Sequence, residues 1–349
     1  MLNGRRHVRS RRPLRVAQIM AGAPAGGAEL FFERLTAALH RAGETVLPVM
    51  RRDPGRAARL EEAGLHPQQL RFGGPLDLTT RPRLARLLRR FQPRVVVAWM
   101  NRAARLTPRG DWVKVGRLGG YYDLRYYRGC DHLVGNTRGI VAWVREQGWP
   151  ADRVHHLPNF APDLRGAAPV SRGPGRMILG LGRLHRNKGF DILIRALAML
   201  PGVQAVIAGE GPERRALERL AAECGVANRL KLPGWSHNQA GLLAACDVLV
   251  CPSRIEPLGN VIIEGFSAAR PVVAAAVAGP VELIDPGRTG LLVAAEDPAR
   301  LAAAIRGVLE DSVLAARLAT AGRARFEAEH AEAPVVRRWR DTLRAMAAA

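Results

Sequence analysis

Cysteine and long apolar runs are scarce in this 349-residue sequence. The four cysteines show no C-x-x-C spacing, so neither a zinc ribbon nor a disulfide framework is expected, and they suit a reducing cytoplasm. No apolar run approaches the roughly 18–20 residues of a membrane-spanning helix, which argues against an integral membrane protein. Repeats with the period of a solenoid or a propeller are also missing.

Familiar motifs for phosphate and metal binding are missing too. The chain contains neither the G-x-x-x-x-G-K-S/T phosphate loop nor a G-x-G-x-x-G dinucleotide fingerprint, and it has no Asp-x-Asp metal motif. What is present is a composition of 48% apolar and 24% charged residues, which supports a packed core and excludes wholesale disorder. The length predicts about two domains.

Lysine is rare, because 50 of the 53 basic residues are arginine. Set against 31 acidic residues, they give a net charge of +22. Residues 1–165 hold 30 basic and 13 acidic side chains, whereas residues 166–349 hold 23 and 18. This excess in the first half predicts an anionic partner, which by composition alone is a nucleic acid, an anionic membrane or a phosphorylated substrate.

Residues 1–14 form a basic segment ahead of the first apolar run. The stretch 10–14 resembles a twin-arginine export signal. However, the apolar residues that follow it fit the first buried strand of the fold better than they fit the apolar region of an export signal. We therefore predict a flexible basic arm, either idle or in contact with anionic lipid head groups.

Strand and helix patterns alternate along the rest of the chain. In the first half, strands are predicted at 16–20, 45–50, 68–72, 95–99, 113–118, 132–136 and 154–158, with helices at 29–42, 81–91 and 138–147. In the second half, strands are predicted at 177–182, 203–208, 229–232, 247–251, 271–275 and 290–293, with helices at 188–200, 212–224, 259–269, 297–309, 312–330 and 334–347. The α/β alternation predicts two doubly wound, Rossmann-like domains, 15–160 and 176–333, joined by a linker at 161–175 and followed by a C-terminal helix. Ligands of such sheets bind at the carboxyl ends of the strands, so a cleft between the domains is expected.

A first group of candidate residues follows the strand that ends at Gly182. Arg183 and Lys188 lie on a turn that leads into a helix. Two cations beside a helix N-terminus suit a diphosphate, although a solvated basic loop has the same pattern.

A second group follows the apolar strand 247–251. The turn Leu258-Gly259-Asn260 opens a helix, whose free N–H groups can hold an anion. Glu256 precedes this turn and Glu264 lies within the helix, and carboxylates beside a phosphate site suit sugar or ribose hydroxyls. An ordinary exposed helix glutamate remains an alternative for Glu264.

These motifs together resemble the retaining glycosyltransferase family 4, which has the GT-B fold of two facing Rossmann-like domains. The resemblance rests on residues 182–189, 208–212, 232–234, 278–282 and 287–293, on Glu256 and Glu264 with seven residues between them, and on a glycine loop at 26–29. It is strongest over 177–293. Two roles are open for the C-terminal helix: it packs back across the cleft, as this fold class often shows, or it lies on lipid, and we expect packing.

The resemblance implies a site for a nucleotide-diphosphate sugar, held mainly by the second domain, with no metal and no other cofactor. It gives Arg183, Lys188 and Glu256 catalytic roles: the two cations neutralise the departing diphosphate, and Glu256 binds the donor sugar. It places the ribose hydroxyls on Glu264. The remaining implied donor contacts are Gly26, Gly27, Gly182, Leu232, Leu258, Gly259 and Asn260.

One family feature is missing from the first domain. Many members carry a His just after a strand near the reacting centre, whereas this chain reads Gly119-Gly120-Tyr121-Tyr122-Asp123 there. We interpret Tyr121, Tyr122 and Asp123, together with Asn101, as acceptor contacts, although a packed aromatic turn would have the same composition.

The sequence thus predicts a metal-independent hexosyltransferase that uses a nucleotide-sugar donor, UDP-hexose by default, and retains configuration. The expected acceptor is an anionic glycan or glycolipid of lipopolysaccharide or another cell-surface polysaccharide. The expected location is the cytoplasm, including the inner face of the bacterial inner membrane. A GT-B hydrolase or synthase is the alternative, and a nucleic-acid-binding protein is a remote one that lacks the usual signatures.

Overall fold

The computed structural model describes residues 12–23, 26–74 and 76–348. Seven parallel strands of this described chain form the first sheet, in the order β3-β2-β1-β4-β5-β6-β7. They are β1 (Arg15–Met20), β2 (Thr45–Arg51), β3 (Gln68–Leu70), β4 (Val95–Trp99), β5 (Val113–Leu118), β6 (His132–Gly135) and β7 (Val154–His156). The helices between them are α1 (Gly27–Arg41), α2 (Pro54–Glu62), α3 (Thr80–Phe91), α4 (Met100–Leu106) and α5 (Arg138–Glu146).

A second parallel sheet follows, and its six described strands run in the order β10-β9-β8-β11-β12-β13. They are β8 (Arg176–Leu181), β9 (Val203–Ala208), β10 (Leu230–Lys231), β11 (Val248–Cys251), β12 (Val272–Ala275) and β13 (Leu291–Val293). The helices are α6 (Phe190–Ala198), α7 (Arg214–Glu223), α8 (Gln239–Ala245), α9 (Asn260–Ser267), α10 (Ala278–Leu283), α11 (Pro298–Glu310), α12 (Ser312–Arg325) and α13 (Glu332–Ala348).

The strand order reverses once in each sheet, between β1 and β4 and between β8 and β11. These central strands are almost wholly apolar and buried, as in β4, because helices cover both faces of the sheet. The reversal opens a crevice at the carboxyl ends of the strands. The carboxyl edges of the two sheets face each other, and the space between them is called the cleft below.

The prediction of two Rossmann-like domains is confirmed, and each predicted strand is present. Four short helices were not expected from the sequence, namely α2, α4, α8 and α10. The predicted helix 312–330 is α-helical only to Arg325 and ends in a π-helical turn at Phe326–His330. The residues of the expected linker, 161–175, contain no helix or strand and lie against the second domain, where Leu164 N–H donates to Ser267 Oγ over 2.9 Å.

The last helix, α13, crosses back to the first domain, as predicted. Trp339 and Leu343 are fully buried in the core of that domain. Glu44, also buried, accepts hydrogen bonds from Arg340 at 2.6 Å and from Arg344 at 2.7 Å. Burial alone would raise the pKa of Glu44, but these arginines and the Leu14 N–H lower it below its ordinary value.

Most of the basic arm expected at 1–14 lies outside the described residues. Of its last residues, Arg12 accepts a hydrogen bond from Arg344 through its carbonyl oxygen, at 3.2 Å. No helix in the described part of the chain combines the length and apolarity that crossing a bilayer requires.

Candidate active site

Glycines let the loops after β8 and β9 of the second domain meet backbone to backbone. A Cβ on Gly209 would lie 1.8 Å from the carbonyl oxygen of Gly182, and one on Gly211 would lie 2.2 Å from that of Leu184. Gly182 N–H donates to the Ala208 carbonyl over 3.1 Å. The glycines of both motifs are therefore required by close packing, and they fix the loops after β8 and β9 at the edge of the cleft.

The loop after β8 also fits tightly against the loop after β11. Gly189 has a φ of +64°, and a Cβ there would lie 2.1 Å from the Pro252 carbonyl oxygen. This contact brings Lys188 Nζ to 2.5 Å from Glu256 Oε2, which also accepts from Ser253 Oγ at 3.1 Å. Burial alone would lower the pKa of Lys188, but the Glu256 carboxylate raises it, so the ammonium stays charged.

Arg183 is the second predicted cation of this loop, and it is exposed. Within the described part of the chain its guanidinium has no hydrogen bond or ion pair. A nearby arginine that the sequence analysis did not single out, Arg254, braces the loop instead. It pairs with both oxygens of Asp191 at 2.7 Å and donates to the Arg186 carbonyl at 3.0 Å.

The turn before α9 presents backbone donors. Gly259 has a φ of +96°, which redirects the chain into the helix. The N–H groups of Asn260 and Val261 have no acceptor among the described residues, so the first turn of α9 can bind an anion. The buried Leu258 of this turn is in close contact with the main chain of Gly279. A Cβ on Gly279 would lie 2.2 Å from the Leu258 carbonyl oxygen.

Glu264 is buried, with 5% of its surface exposed, which excludes the ordinary exposed glutamate of the alternative interpretation. Burial raises the pKa of this carboxyl above its ordinary value, and Arg34 opposes the shift. Arg34 belongs to α1 of the first domain, and its Nη1 lies 3.4 Å from Glu264 Oε1. The carboxylate is therefore at the boundary between the two domains.

The first-domain glycine loop meets the turn of α9. A Cβ on Gly27 would lie 2.8 Å from Asn260 Nδ2, and one on Gly26 would lie 2.3 Å from Glu29 Oε2. Glu29 also accepts from the Ala23 N–H at 2.8 Å, so its buried carboxylate braces the loop.

A chain of hydrogen bonds that the sequence analysis missed connects both domains at the same place. Arg117, fully buried on β5, donates to Asn159 Oδ1 over 2.7 Å, and Asn159 Nδ2 donates to Asn260 Oδ1 over 2.9 Å. Burial lowers the pKa of Arg117 to about 10, and its guanidinium stacks 4.8 Å from the centre of the Trp99 ring. The sequence signal for this group is weak, because Arg117 lies in a strand that also contains a second basic residue, Lys114.

Glu282 on α10, which the sequence analysis gave only as part of the family block 278–282, reaches the first domain. Its carboxylate accepts from the N–H groups of Arg138 at 2.6 Å and Gly139 at 3.1 Å, at the start of α5. A carboxylate at a helix N-terminus is stabilising, so this contact favours the observed approach of the two domains.

The predicted acceptor residues have mixed surroundings. Tyr121 is 48% exposed and packs edge-on against Trp143, with ring centres 5.4 Å apart. Burial raises the pKa of Tyr122, and the buried Asn101 Oδ1 has no partner among the described residues. Asp123 faces Arg125, with its Oδ2 2.8 Å from the Arg125 Nε, so this carboxylate already has a local partner.

Leu232 is on the loop after β10, beside the glycine loops. Its carbonyl accepts from Arg214 Nη1 at 3.1 Å, and the Gly234 carbonyl accepts from Gly209 N–H at 2.9 Å. Among the described residues, no cluster of three His, Cys, Asp or Glu side chains has the geometry of a metal site. The absence of a metal requirement stays a prediction.

Two facing Rossmann-like domains, with an anion-binding turn and a buried carboxylate at their boundary, define the GT-B class of glycosyltransferases. Two family models match the chain: "Glycosyl transferases group 1" over residues 175–311 and "Glycosyltransferase Family 4" over residues 25–163. The chain belongs to this family and is a glycosyltransferase, as the sequence predicted.

Similar proteins include two from Rhizobium meliloti, the lipopolysaccharide core biosynthesis glycosyltransferases LpsD and LpsE. Each is 37% identical, over 308 and 309 residues respectively, and in both cases the match covers 85% of this chain and 89% of the relative. Among solved structures, HepE from Anabaena in complex with UDP has a TM-score of 0.82 at 21% identity, covering 95% of this chain and 100% of HepE. That structure supports the GT-B fold.

Proposed function

We propose that this protein transfers a hexose from UDP-hexose to an anionic acceptor in lipopolysaccharide core synthesis, with retention of configuration. Two relatives at 37% identity are named for lipopolysaccharide core biosynthesis. The solved HepE structures hold UDP and, in one case, UDP-glucose. The observation that carries the proposal is the Lys188–Glu256 pair beside the free N–H groups of α9.

In this proposal the diphosphate of the donor lies between the loop after β8 and the first turn of α9. Lys188 and Arg183 neutralise it from one side, and the N–H groups of Asn260 and Val261 bind it from the other. Fixed cations and helix N–H groups stabilise charge that develops on a leaving group without reorganisation, so no metal is required. Because Arg183 has no partner among the described residues, it is free to move onto the ligand.

The two carboxylates then hold hydroxyl groups of the donor. Glu256 is fixed by Lys188 and Ser253, so its remaining lone pairs can accept from the sugar. Glu264 is buried at the domain boundary and binds the ribose, with Leu232 near the base. During transfer the bond between the sugar and the diphosphate breaks, the acceptor oxygen bonds to the anomeric carbon, and the acceptor proton leaves with the diphosphate.

The acceptor occupies the first-domain side of the cleft. Gly26 and Gly27 lie where the donor phosphates and the acceptor meet, and Asn101, Tyr121 and Tyr122 supply polar and aromatic contacts to the acceptor, with Asp123 near them. The net charge of +17 over residues 1–165 favours an anionic glycan or glycolipid. The same charge favours peripheral binding of the protein to the anionic inner face of a bacterial inner membrane.

A thermal-shift panel of UDP, GDP, ADP and CMP and their sugar derivatives, each with and without Mg²⁺, tests the donor. A ligand that binds only the native state raises the melting temperature by mass action. We expect a selective shift with one UDP-hexose that does not depend on Mg²⁺. A shift with another nucleotide only, or one that requires Mg²⁺, would contradict the donor or the metal-independent mechanism, respectively.

A product assay with the donor so identified tests the reaction. With lipopolysaccharide core acceptor, nuclear magnetic resonance of the product should show the same anomeric configuration as the donor. Free sugar released at an equal rate with and without acceptor would instead indicate a hydrolase.

A further inference from the structure

A short loop of the first domain displays two leucines to solvent. The loop follows β3 and is closed by a hydrogen bond of 3.0 Å from Phe72 N–H to Thr80 Oγ1. Leu76 is 94% exposed and Leu78 is 83% exposed, the highest values for large apolar side chains in the described residues. Single exposed leucines are common on protein surfaces, so their meaning depends on what holds them and what surrounds them.

Asp77, between the two leucines, holds the loop in this shape. Its carboxylate accepts from Gly73 N–H at 2.7 Å, from Thr80 N–H at 3.1 Å and from Thr79 Oγ1 at 2.9 Å. The pKa of Asp77 lies well below its ordinary range, chiefly because its carboxylate accepts a hydrogen bond from the Thr80 hydroxyl. The carboxylate thus faces into the loop, and both leucines are directed away from it.

The part of the chain that contains the loop is strongly basic. Residues 71–109 contain ten arginines and a single acid, which is Asp77. The arginines of α3 (Arg81, Arg83, Arg86, Arg89, Arg90) are exposed and have no ion pair in the described part of the chain. Positive charge without internal partners, around two exposed leucines, is the pattern of a surface that binds anionic lipid.

The position of the loop in the fold adds a second argument. It begins at the carboxyl end of β3, on the same edge of the sheet as the glycine loop at 26–27 and as α4. Arg102 of α4 donates to the Phe72 carbonyl over 3.1 Å, which ties this helix to the loop. A bilayer in contact with the loop would therefore lie beside the first-domain side of the cleft.

We propose that the leucine loop (residues 72–74 and 76–80), with the arginines of α3 and α4, is the surface by which the protein docks on an anionic bilayer. Leu76 and Leu78 enter the boundary between head groups and acyl chains, and the arginines contact lipid phosphates. This inference rests on the proposed function, because it takes the acceptor to be carried by a lipid. It assigns docking to this loop rather than to the residues of the basic arm.

Co-sedimentation of the full chain with phosphatidylglycerol vesicles and with phosphatidylcholine vesicles tests the proposal. The wild type should bind the anionic vesicles and release them at high salt, because salt screens exposed charges beyond about 3 Å at 1 M. The double variant Leu76→Ser/Leu78→Ser should bind at least about tenfold more weakly, since each leucine loses the free energy of leaving water. Replacing Arg83, Arg86 and Arg90 by Gln should weaken binding to anionic vesicles alone.

Val313→Ser is the matched control. Val313 is 77% exposed, but it lies on α12 of the second domain, so its replacement should leave vesicle binding unchanged. An equal loss in Val313→Ser and in the leucine variant would overturn the proposal. So would loss of binding on deletion of residues 1–11 while the leucine variant binds like wild type. Binding of an oligonucleotide in place of vesicles would assign the arginines to nucleic acid and overturn it too.

The test separates this inference from the proposed function. The thermal shift with UDP-hexose reports donor binding without any membrane, and the leucine variant should keep the full shift. A wild type that transfers sugar but ignores anionic vesicles would refute the docking surface alone. Vesicle binding that depends on the leucines, without any shift by a nucleotide sugar, would refute the proposed function alone.

Discussion

On the second-domain side of the cleft, the charged groups other than Arg183 are paired and the turns are fixed, whereas the first-domain side carries a polar atom without a partner among the described residues and a half-exposed tyrosine. Lys188 is bound to Glu256 and Arg254 to Asp191, both within 2.7 Å. On the opposite side, Asn101 Oδ1 lacks a partner among the described residues and Tyr121 is half exposed.

This difference follows from what each side has to bind in the proposed reaction. A diphosphate has one shape and one charge pattern, so a site for it gains from groups that are held in place before the ligand arrives. An acceptor surface is more easily altered, because unpaired and exposed groups can change without disturbing a packed network. The contrast predicts large effects for substitutions on the second-domain side and smaller ones at the boundary.

The largest effect is expected for Lys188→Ala. The substitution removes the partly buried cation proposed to stabilise the leaving diphosphate and leaves the Glu256 carboxylate without this ion-pair partner. By analogy with the loss of one fixed donor to a developing negative charge, kcat should fall about 10³-fold. Steady-state kinetics with a saturating donor measure this.

Arg183→Ala provides the comparison for that experiment, because Arg183 is exposed and unpaired in the described chain. Its loss should lower kcat by only about tenfold, since an exposed charge acts through a higher dielectric constant. Equal effects of the two substitutions would show that pairing and burial do not distinguish the two cations. This result would contradict the view that paired and fixed groups contribute more to catalysis than exposed ones.

The next largest effect is expected where the loops after β8 and β9 pack against each other. In Gly209→Ala the new Cβ would be placed 1.8 Å from the Gly182 carbonyl oxygen. That oxygen belongs to the main chain, and the backbone of residue 209 fixes the position of the Cβ, so neither atom can rotate away. Overpacking of this kind should lower the free energy of unfolding by about 3 kcal/mol. It should also shift the loop after β8 and weaken donor binding. Urea denaturation followed by tryptophan fluorescence measures the first quantity.

Gly307→Ala is the control, because a Cβ at this position of α11 meets nothing within 4 Å. There alanine should raise the free energy of unfolding by up to about 1 kcal/mol, as expected for glycine replaced within a helix. If Gly209→Ala were as stable as wild type and bound the donor normally, the close backbone packing would not be what fixes the second-domain side.

The sequence predicts local features well and distant contacts poorly. Buried strands are visible as apolar runs, and the glycine loops and Lys188 are visible as motifs because their residues are neighbours in the chain. Helices as short as α4 and α10 span less than two turns and show no readable periodicity. The partners Arg34 and Glu264 are 230 residues apart, and nothing in either segment indicates the other.

The same limit explains the residues that were missed. Glu282 looks like any glutamate on a short helix until α5 is placed opposite it. The full burial of Arg117 contradicts the usual preference of arginine for the surface, and only the packing of Trp99 and Asn159 around it shows why the position is tolerated. Glu282 contacts the other domain directly, and Arg117 is connected to it through Asn159, which donates to Asn260.

The smallest effect should come from Glu264→Gln, at the boundary where the two sides meet. Glutamine keeps the shape and can still accept a hydrogen bond, but it removes a negative charge that is costly to bury. Because the proposed ribose contact loses a charged acceptor, we expect the affinity for UDP to fall about tenfold, which is the effect of one charge-assisted hydrogen bond. Isothermal titration calorimetry measures it.

Stability should change in the opposite direction and should depend on pH. Burial raises the pKa of Glu264 in the folded protein above its ordinary value of 4.5, so folding favours the protonated form. The stability that this group contributes is therefore present below pH 4.5 and is lost as pH rises through the raised pKa. Glutamine does not ionise, so the variant should match wild type at acidic pH and melt at a higher temperature at pH 7. A variant less stable than wild type at pH 7 would mean that the Arg34 contact outweighs the cost of burying the charge, and that the boundary is held as firmly as the second-domain side.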